Sequence, residues 1–93
     1  MARTLTAARA RVRPEDEAAY LALLGKRKQV SLRAGGHFWV FRSRAEQGLF
    51  LEFAELPDGR EATAEERAAE RRLRELASYG ADAEERWDEV AVG

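Results

Sequence analysis

The chain has no cysteine among its 93 residues, and this absence excludes disulfide bonds, thiolate metal ligands and cysteine nucleophiles. It also has a single histidine, His37, and no second ligand is spaced to join it. Transition-metal sites in proteins need several ligands of this kind. We therefore expect no metal site in this protein.

Neither sign of charge is in excess, because Lys and Arg number 16 and Asp and Glu number 17, for a formal net charge of -1. Nucleic-acid binders usually carry a basic excess that neutralises phosphates, so we expect no nucleic-acid partner. No apolar stretch approaches the roughly 18 residues of a membrane span, and the N-terminus lacks the apolar run of a signal sequence. We expect a cytoplasmic protein with no membrane partner, and the abundance of Ala, Arg, Glu and Leu is typical of a GC-rich bacterial genome.

The first half of the chain predicts a strand and then a helix. Thr4 to Arg13 alternates with a period of two, as strands do. Pro14 suits the first position of a helix, and the acidic residues after it favour the positive end of the helix dipole. Gly35-Gly36 ends the helix, as residues that tolerate a left-handed backbone commonly do. Lys26-Arg27-Lys28 reads as a solvated face of this helix.

The second half predicts a hairpin, a helix and a last strand. The hairpin is indicated by two aromatic and β-branched runs, HFWVFRSR from His37 and GLFLEFAEL from Gly48. After the hairpin, Pro57-Asp58-Gly59 predicts a turn, because these residue types are typical of turns. Thr63 and Glu66 have the spacing of a capping box, which predicts the start of a helix that Gly80 ends. Glu85 to Val92 alternates weakly and predicts a short strand.

This order of elements predicts one α+β domain over residues 1–93 with the ferredoxin-like βαββαβ fold. In that fold a four-stranded antiparallel sheet carries both helices on one face. The other face of such a sheet usually presents polar side chains to water. The hairpin departs from that rule, because it carries large apolar side chains on both of its faces.

The pairing of the hairpin decides which of its side chains face the helices. A turn symmetric about Glu46-Gln47 pairs Val40 with Phe53 and Phe41 with Glu52. The helices then cover Phe38, Val40, Leu49, Leu51 and Phe53, while the open face carries His37, Trp39, Phe41, Phe50, Glu52 and Ala54. A one-residue bulge would exchange these sets.

An apolar open face of this kind usually marks an interface or a ligand site, and pairing with a second copy would cover it. Arg9 and Arg11 on the first strand are then expected near Glu52. We predict a homodimer with Arg9, Arg11, Phe50 and Glu52 in its interface.

The double glycine before HFWVFRSR, and GLFLEFAEL before a charged second helix, resemble the dimeric α+β barrel superfamily. Within it, the chain is most similar to small antibiotic-biosynthesis-monooxygenase-like proteins, over nearly its whole length. This resemblance implies a homodimer whose sheets meet face to face, with a pocket between each sheet and its helices. Members include cofactor-free oxygenases, haem-degrading enzymes, isomerases and proteins of unknown activity. The haem-degrading members use an Asn, Trp and His set, and this chain has no asparagine.

Several residues are candidates for chemistry, each with a simpler structural role beside it. His37 is the natural acid or base near neutral pH, although a solvated residue at the start of a strand is the commoner case. Trp39 and Trp87 either stack on a flat substrate or anchor packing. Glu52 is either a base with a raised pKa or the ion-pair partner of Arg9 or Arg11, and we favour the ion pair. We assign ligand contact to four residues, namely Tyr20, Trp39, Phe41 and Phe53.

Three functional hypotheses follow from the sequence. The first is a homodimer that binds a small apolar or aromatic molecule without a cofactor, as a monooxygenase or isomerase would; whether it is an enzyme stays open. The second is a non-catalytic dimer with a structural or interaction role. The third is an RNA-binding module, since that class shares the βαββαβ order and stacks bases on aromatics of its third strand.

Overall fold

The structure, a computed structural model, describes residues 3–56 and 61–92, and for 81–83 it gives the course of the strand alone. The elements are β1 (Thr4–Val12), a short 3-10 helix (Pro14–Asp16), α1 (Glu17–Arg33), β2 (His37–Arg42), β3 (Leu49–Glu55), α2 (Ala64–Leu73) and β4 (Ala77–Asp88). The predicted α+β class and βαββαβ order are confirmed. The predicted turn at Pro57-Asp58-Gly59 lies outside the described residues.

The strands form one antiparallel sheet in the order β2-β3-β1-β4. The two central strands, β1 and β3, pair from Leu5 opposite Glu55 to Arg11 opposite Leu49. A shift in register between Ala8 and Ala10 marks an irregularity where β1 pairs with β4. In the described part of the chain, neither helix is long and apolar enough to cross a membrane.

The core lies between the sheet and the two helices. Tyr20 packs its ring on Phe50, with 5.0 Å between the ring centroids. The buried cluster consists of Ala10, Val12, Tyr20, Leu24, Phe38, Phe50, Leu73 and Ala77. Residues from all four strands and both α-helices therefore share one core, as expected for a single small domain.

The second helix begins as the sequence predicts and ends earlier. The Thr63 hydroxyl accepts a hydrogen bond from the Glu66 amide, and the Glu66 carboxylate accepts one from the Thr63 amide, which completes the capping box. The helix stops at Leu73 and β4 begins at Ala77, so the predicted end at Gly80 and strand start at Glu85 are wrong. The reason is tertiary, because residues from Ala77 onward pair with β1 and this pairing outweighs local helical preference.

The hairpin pairs one residue away from the predicted register. Val40 lies opposite Glu52, and Phe41 lies opposite Leu51. The turn is asymmetric: the Ser43 hydroxyl accepts bonds from two amides within it, and Gly48 closes it with a φ of 79°. The predicted faces of β2 hold, whereas those of β3 are exchanged, so that Phe50, Glu52 and Ala54 face the helices and Leu49, Leu51 and Phe53 face outward.

Candidate functional site

The open face of the sheet carries an apolar groove of about 470 Å³. Three large side chains stand half-exposed in it: Trp39 is 38% exposed, Phe41 56% and Trp87 55%. The full lining consists of Arg3, Leu5, Trp39, Phe41, Phe53, Trp87, Asp88 and Glu89. Its volume lies within the roughly 300–1,000 Å³ range of small-molecule sites. We call these residues the aromatic groove.

Sheet pairing explains why these aromatic rings meet. Trp39 lies directly opposite Phe53 across β2 and β3, and Leu5 lies opposite Trp87 across β1 and β4. The ring of Phe41 meets that of Phe53 edge-on at 5.7 Å, an orientation that aromatic pairs favour. The aromatic side chains of the groove can therefore stack on a flat apolar molecule from two sides.

Charged side chains of both signs lie on the open face of the sheet, some of them in the wall of the aromatic groove. Arg3 contacts Glu89 at 3.2 Å, and Arg9 contacts Glu85 at 4.0 Å. Arg11 pairs with Glu46. Arg9 and Arg11 thus lie on the open face as predicted, but the predicted pairing of either with Glu52 is wrong, because Glu52 lies on the opposite face.

Glu52 is buried beneath the helices in a cluster with two tyrosines. The hydroxyls of Tyr20 and Tyr79 both donate to its Oε2, each at 2.6 Å. Burial raises the pKa of Glu52, and the two tyrosine bonds and the charge of Arg27 offset this only in part. Burial also raises the pKa of both tyrosines, so they remain hydroxyl donors.

Arg27 is buried as well, so the predicted solvated face of α1 is wrong at this residue. Its side chain is 2% exposed and its guanidinium lies 4.7 Å from the centre of the Phe38 ring. One terminal nitrogen bonds Ser31, and the other bonds Glu70 at 3.0 Å. The Nε atom is buried and has no hydrogen-bond partner within the residues that the structure describes.

A small cavity of about 50 Å³ joins these two buried groups. Glu52 and Arg27 lie in its wall with Phe38 and Leu73, and exposed Glu70, Arg74 and Glu84 give it a polar edge. Such a volume has room for a few water-sized groups. We call this the Glu52 cavity. It is separate from the aromatic groove, because the sheet lies between them.

Comparison with solved structures finds proteins of the same fold along nearly the whole chain. A conserved protein of unknown function from Bacteroides thetaiotaomicron has a TM-score of 0.74 at 17% identity, over 94% of this chain and 96% of its own. SnoaB, a cofactor-independent oxygenase from Streptomyces nogalater, has a TM-score of 0.69 at 16% identity, over 97% of this chain and 92% of its own. An antibiotic biosynthesis monooxygenase has 0.67 at 15% identity, over the full length of both chains.

This chain shares their fold. The predicted resemblance to antibiotic-biosynthesis-monooxygenase-like proteins is therefore confirmed for the architecture. No protein-family model matches the sequence, and no curated protein matches it either. At these identities the likeness concerns the fold alone.

The structure divides the predicted ligand residues between two places. Trp39, Phe41 and Phe53 line the aromatic groove, whereas Tyr20 is buried beneath the helices. Phe50 is also buried there, so it cannot belong to the predicted interface. Glu52 is buried there as well and cannot belong to the predicted interface either. Its predicted place on the open face depended on a hairpin register that differs by one residue from the observed register.

His37 lies at the edge of the open face and outside both sites. Its Nδ1 is 2.9 Å from Glu55, and its ring stacks on Trp39 with 5.7 Å between centroids. Sequence reasoning missed the buried Arg27 and the partly buried Tyr79 as polar groups beneath the helices. Arg27 could have been found from helical spacing, because Tyr20, Leu24, Arg27 and Ser31 form one stripe of α1 that faces inward. Tyr79 had no such signal, since its strand was predicted to begin after it.

Proposed function

We propose that this chain forms a homodimer through the open face of its sheet and holds a small, flat, apolar molecule in the aromatic groove. The observation that carries the proposal is the half-exposed set of Trp39, Phe41 and Trp87 around one groove. Apolar patches of this kind on soluble proteins usually mark an interface or a ligand site. A second copy laid over the face would exclude water from the groove and close it around a ligand.

The exposed area supports a second copy as the occupant of this face. The exposed parts of the three aromatic side chains amount to roughly 350 Å², taking about 150–250 Å² for each whole side chain. A stable dimer buries roughly 800 Å² on each partner, so these rings supply a large part of the required surface. Leu5, Leu49 and Leu51 add to the same face.

The charges on this face favour a copy of the chain over a partner of one sign. Arginine and glutamate side chains lie side by side on this face, as Arg3 with Glu89 in the groove and Arg9 with Glu85 outside it show. A two-fold axis brings each patch against itself, so a patch with both signs can pair its arginines with the glutamates of the other copy. A nucleic acid would meet the glutamates unfavourably. Phe50, one of the aromatic residues of β3, is buried beneath the helices and cannot stack on a base.

The dimer is tested by light scattering after size exclusion. We expect the wild type to have twice the mass of one chain, and Phe41→Glu to have the mass of one. Leu32→Glu is the matched control, because Leu32 is a large apolar residue 50% exposed on α1, on the helical side of the sheet. A wild-type monomer, or equal loss of dimer in both variants, would contradict the proposal.

Ligand binding is tested with 1-naphthol and the fluorescence of the two tryptophans, which both line the groove. We expect saturable quenching, weakened about tenfold or more by Trp39→Ala, since stacking on an aromatic side chain is worth about 1–3 kcal/mol. A dimer that binds no member of a broad set of aromatic compounds would instead support the non-catalytic interaction module.

A second candidate function is oxygenation of the bound molecule without a metal or flavin. It is favoured by one specific observation, that solved proteins of this fold include a cofactor-independent oxygenase and an antibiotic biosynthesis monooxygenase. In such a reaction the organic substrate is the reductant and dioxygen the oxidant. For 1,5-dihydroxynaphthalene the balance is one O₂ consumed, and one hydroxynaphthoquinone and one water formed.

This activity is measured with an oxygen electrode and by the absorbance of the quinone. We expect turnover above the rate without protein, and its loss in Trp39→Ala, which removes one wall of the groove. Equal rates for the wild type, the variant and buffer alone would remove the oxygenase candidate and leave the binding proposal standing.

A further inference from the structure

We infer that the aromatic groove selects a flat aromatic cation, of the class of N-alkylated heteroaromatic rings, over a neutral molecule of the same shape. The inference rests on the proposed function, because it states the charge of the ligand that the groove would hold. Three features carry it: the faces of the aromatic rings, a surplus of carboxylates at one end of the groove, and the single histidine beside that end.

The walls of the groove suit a cation as well as a neutral ring. Trp39, Phe41 and Trp87 stand half-exposed around it, and Phe53 completes the aromatic lining. The face of an aromatic ring carries partial negative charge and attracts cations, and the indole ring attracts them most strongly. A ligand whose positive charge is spread over a flat ring gains this attraction and keeps the stacking contact of a neutral ring.

Carboxylates outnumber cationic groups at the end of the groove where Arg3 lies. The Arg3 guanidinium is shared between two of them, with Nη2 3.2 Å from Glu89 and Nε 3.6 Å from Glu55. Asp88 also lies in the wall, and its carboxylate accepts a hydrogen bond from the Thr4 hydroxyl at 2.9 Å. One guanidinium against three carboxylates leaves two negative charges in surplus. This end of the groove therefore attracts a cation and repels an anion.

The charge of His37 changes this surplus, because histidine is the side chain that commonly gains a proton between about pH 8 and about pH 5. From β3 it faces Glu55, 2.9 Å from its Nδ1, and Glu55 in turn contacts Arg3 ahead of β1. Its ring stacks on Trp39, one wall of the groove. The hydrogen bond and the charge of Arg3 lower the pKa of Glu89, so this carboxylate stays ionised across the same range. Protonation of His37 thus reduces the surplus by one charge, and the groove should bind a cation more weakly as pH falls.

The test uses a matched pair of probes, 1-methylquinolinium and 1-methylnaphthalene, which have the same shape and differ by one positive charge. Binding to the intact protein is followed by NMR through the indole N–H signals of the two tryptophans, which both line the groove. At about pH 7.5, where histidine is mostly neutral, we expect the cation to bind at least about fourfold more tightly than the neutral probe. A unit charge roughly 4–8 Å away changes affinity about two- to sixfold in water, and two are in surplus.

At about pH 5.5 the affinity for the cation should be about two- to sixfold lower, and that for the neutral probe nearly the same. Equal affinities of the two probes at the higher pH, or tighter binding of 1-methylnaphthalene, would overturn the inference and leave the proposed ligand site standing. Saturable binding of neither probe would overturn both.

A pair of glutamate variants assigns the selectivity to the groove. Glu89→Gln removes one carboxylate from its wall and should weaken binding of 1-methylquinolinium about two- to sixfold, with no comparable change for 1-methylnaphthalene. Glu75→Gln makes the same change at an exposed position before β4, at the opposite end of the sheet, and should leave both affinities unchanged. Equal weakening in the two variants would contradict the inference.

The variant His37→Asn assigns the pH dependence. It keeps an N–H group for Glu55 and does not titrate, whereas Glu52, on the other face of the sheet, is left as it is. We expect 1-methylquinolinium to bind this variant equally well at both pH values, with the affinity that the wild type has at the higher one. A fall in affinity at low pH as large as in the wild type would contradict the role of His37.

Discussion

Replacing Glu52 with glutamine keeps the shape of the side chain and removes its charge, and the stability of this variant relative to the wild type should depend on pH. In the folded protein, burial raises the pKa of Glu52, while in the unfolded chain the carboxyl has its ordinary pKa of about 4.3. Between these two values the folded protein holds a proton that the unfolded chain has released. The free energy of unfolding of the wild type therefore falls as pH rises through this window.

The magnitude follows from the one proton involved. The slope reaches at most about 1.4 kcal/mol for each pH unit inside the window, and it vanishes below the ordinary pKa and above the folded pKa. Glutamine does not titrate, so the unfolding free energy of Glu52→Gln minus that of the wild type should rise with pH across the window. The tyrosine bonds remain available to both, because an amide oxygen also accepts from Tyr20 and Tyr79.

Urea unfolding followed by circular dichroism, repeated from about pH 4 to about pH 8, measures this difference. Glu75→Gln removes an exposed carboxyl group in the turn after α2 and serves as the control. A rise with pH as large in Glu75→Gln as in Glu52→Gln would show that the effect does not come from the buried carboxyl group. Parallel curves for Glu52→Gln and the wild type, or a difference that falls as pH rises, would refute the reasoning.

Three further predictions concern stability and are measured by urea unfolding. Phe50→Ala should cost about 3–5 kcal/mol, because the ring is buried against Tyr20, and a loss below about 1 kcal/mol would contradict its place in the core. Thr63→Ala should cost about 1 kcal/mol through loss of the cap, and unchanged stability would mean that the capping box is not formed. Gly48→Ala should cost more than about 1 kcal/mol, since φ is 79° and a Cβ would lie 2.7 Å from the Val12 oxygen; a stabilised variant would exclude this turn.

Local sequence signals were sufficient for most of the fold. The alternation of side chains with a period of two predicted β1, and aromatic and β-branched runs predicted the hairpin. The spacing of Thr63 and Glu66 predicted the start of α2. Each of these signals depends on residues close together in the sequence. The start of β4 depends on its pairing with β1, far away in sequence. Ala77 and Tyr79 pair with Val12 and Ala10, and no pattern within β4 itself carries that information.

The candidate sites were predicted only in part because they depend on register and on burial of charge. A difference of one residue in the hairpin register places Phe53 on the open face, where it lines the aromatic groove, and Glu52 beneath the helices, away from the predicted interface. Arg27 was expected in water because its neighbours Lys26 and Lys28 are charged. Its burial depends on Glu66, Glu70 and Phe38, which the sequence alone does not place beside it.

The order β2-β3-β1-β4 leaves β2 and β4 as the two edges of the sheet, and this has a consequence for aggregation. Free strand edges are templates for uncontrolled pairing between chains, and charged side chains on an edge discourage it. On β4 the run Glu84, Glu85, Arg86 is exposed, and on β2 the edge ends in Arg42. Glu84→Thr together with Glu85→Thr should therefore make the protein prone to fibrous association along β4.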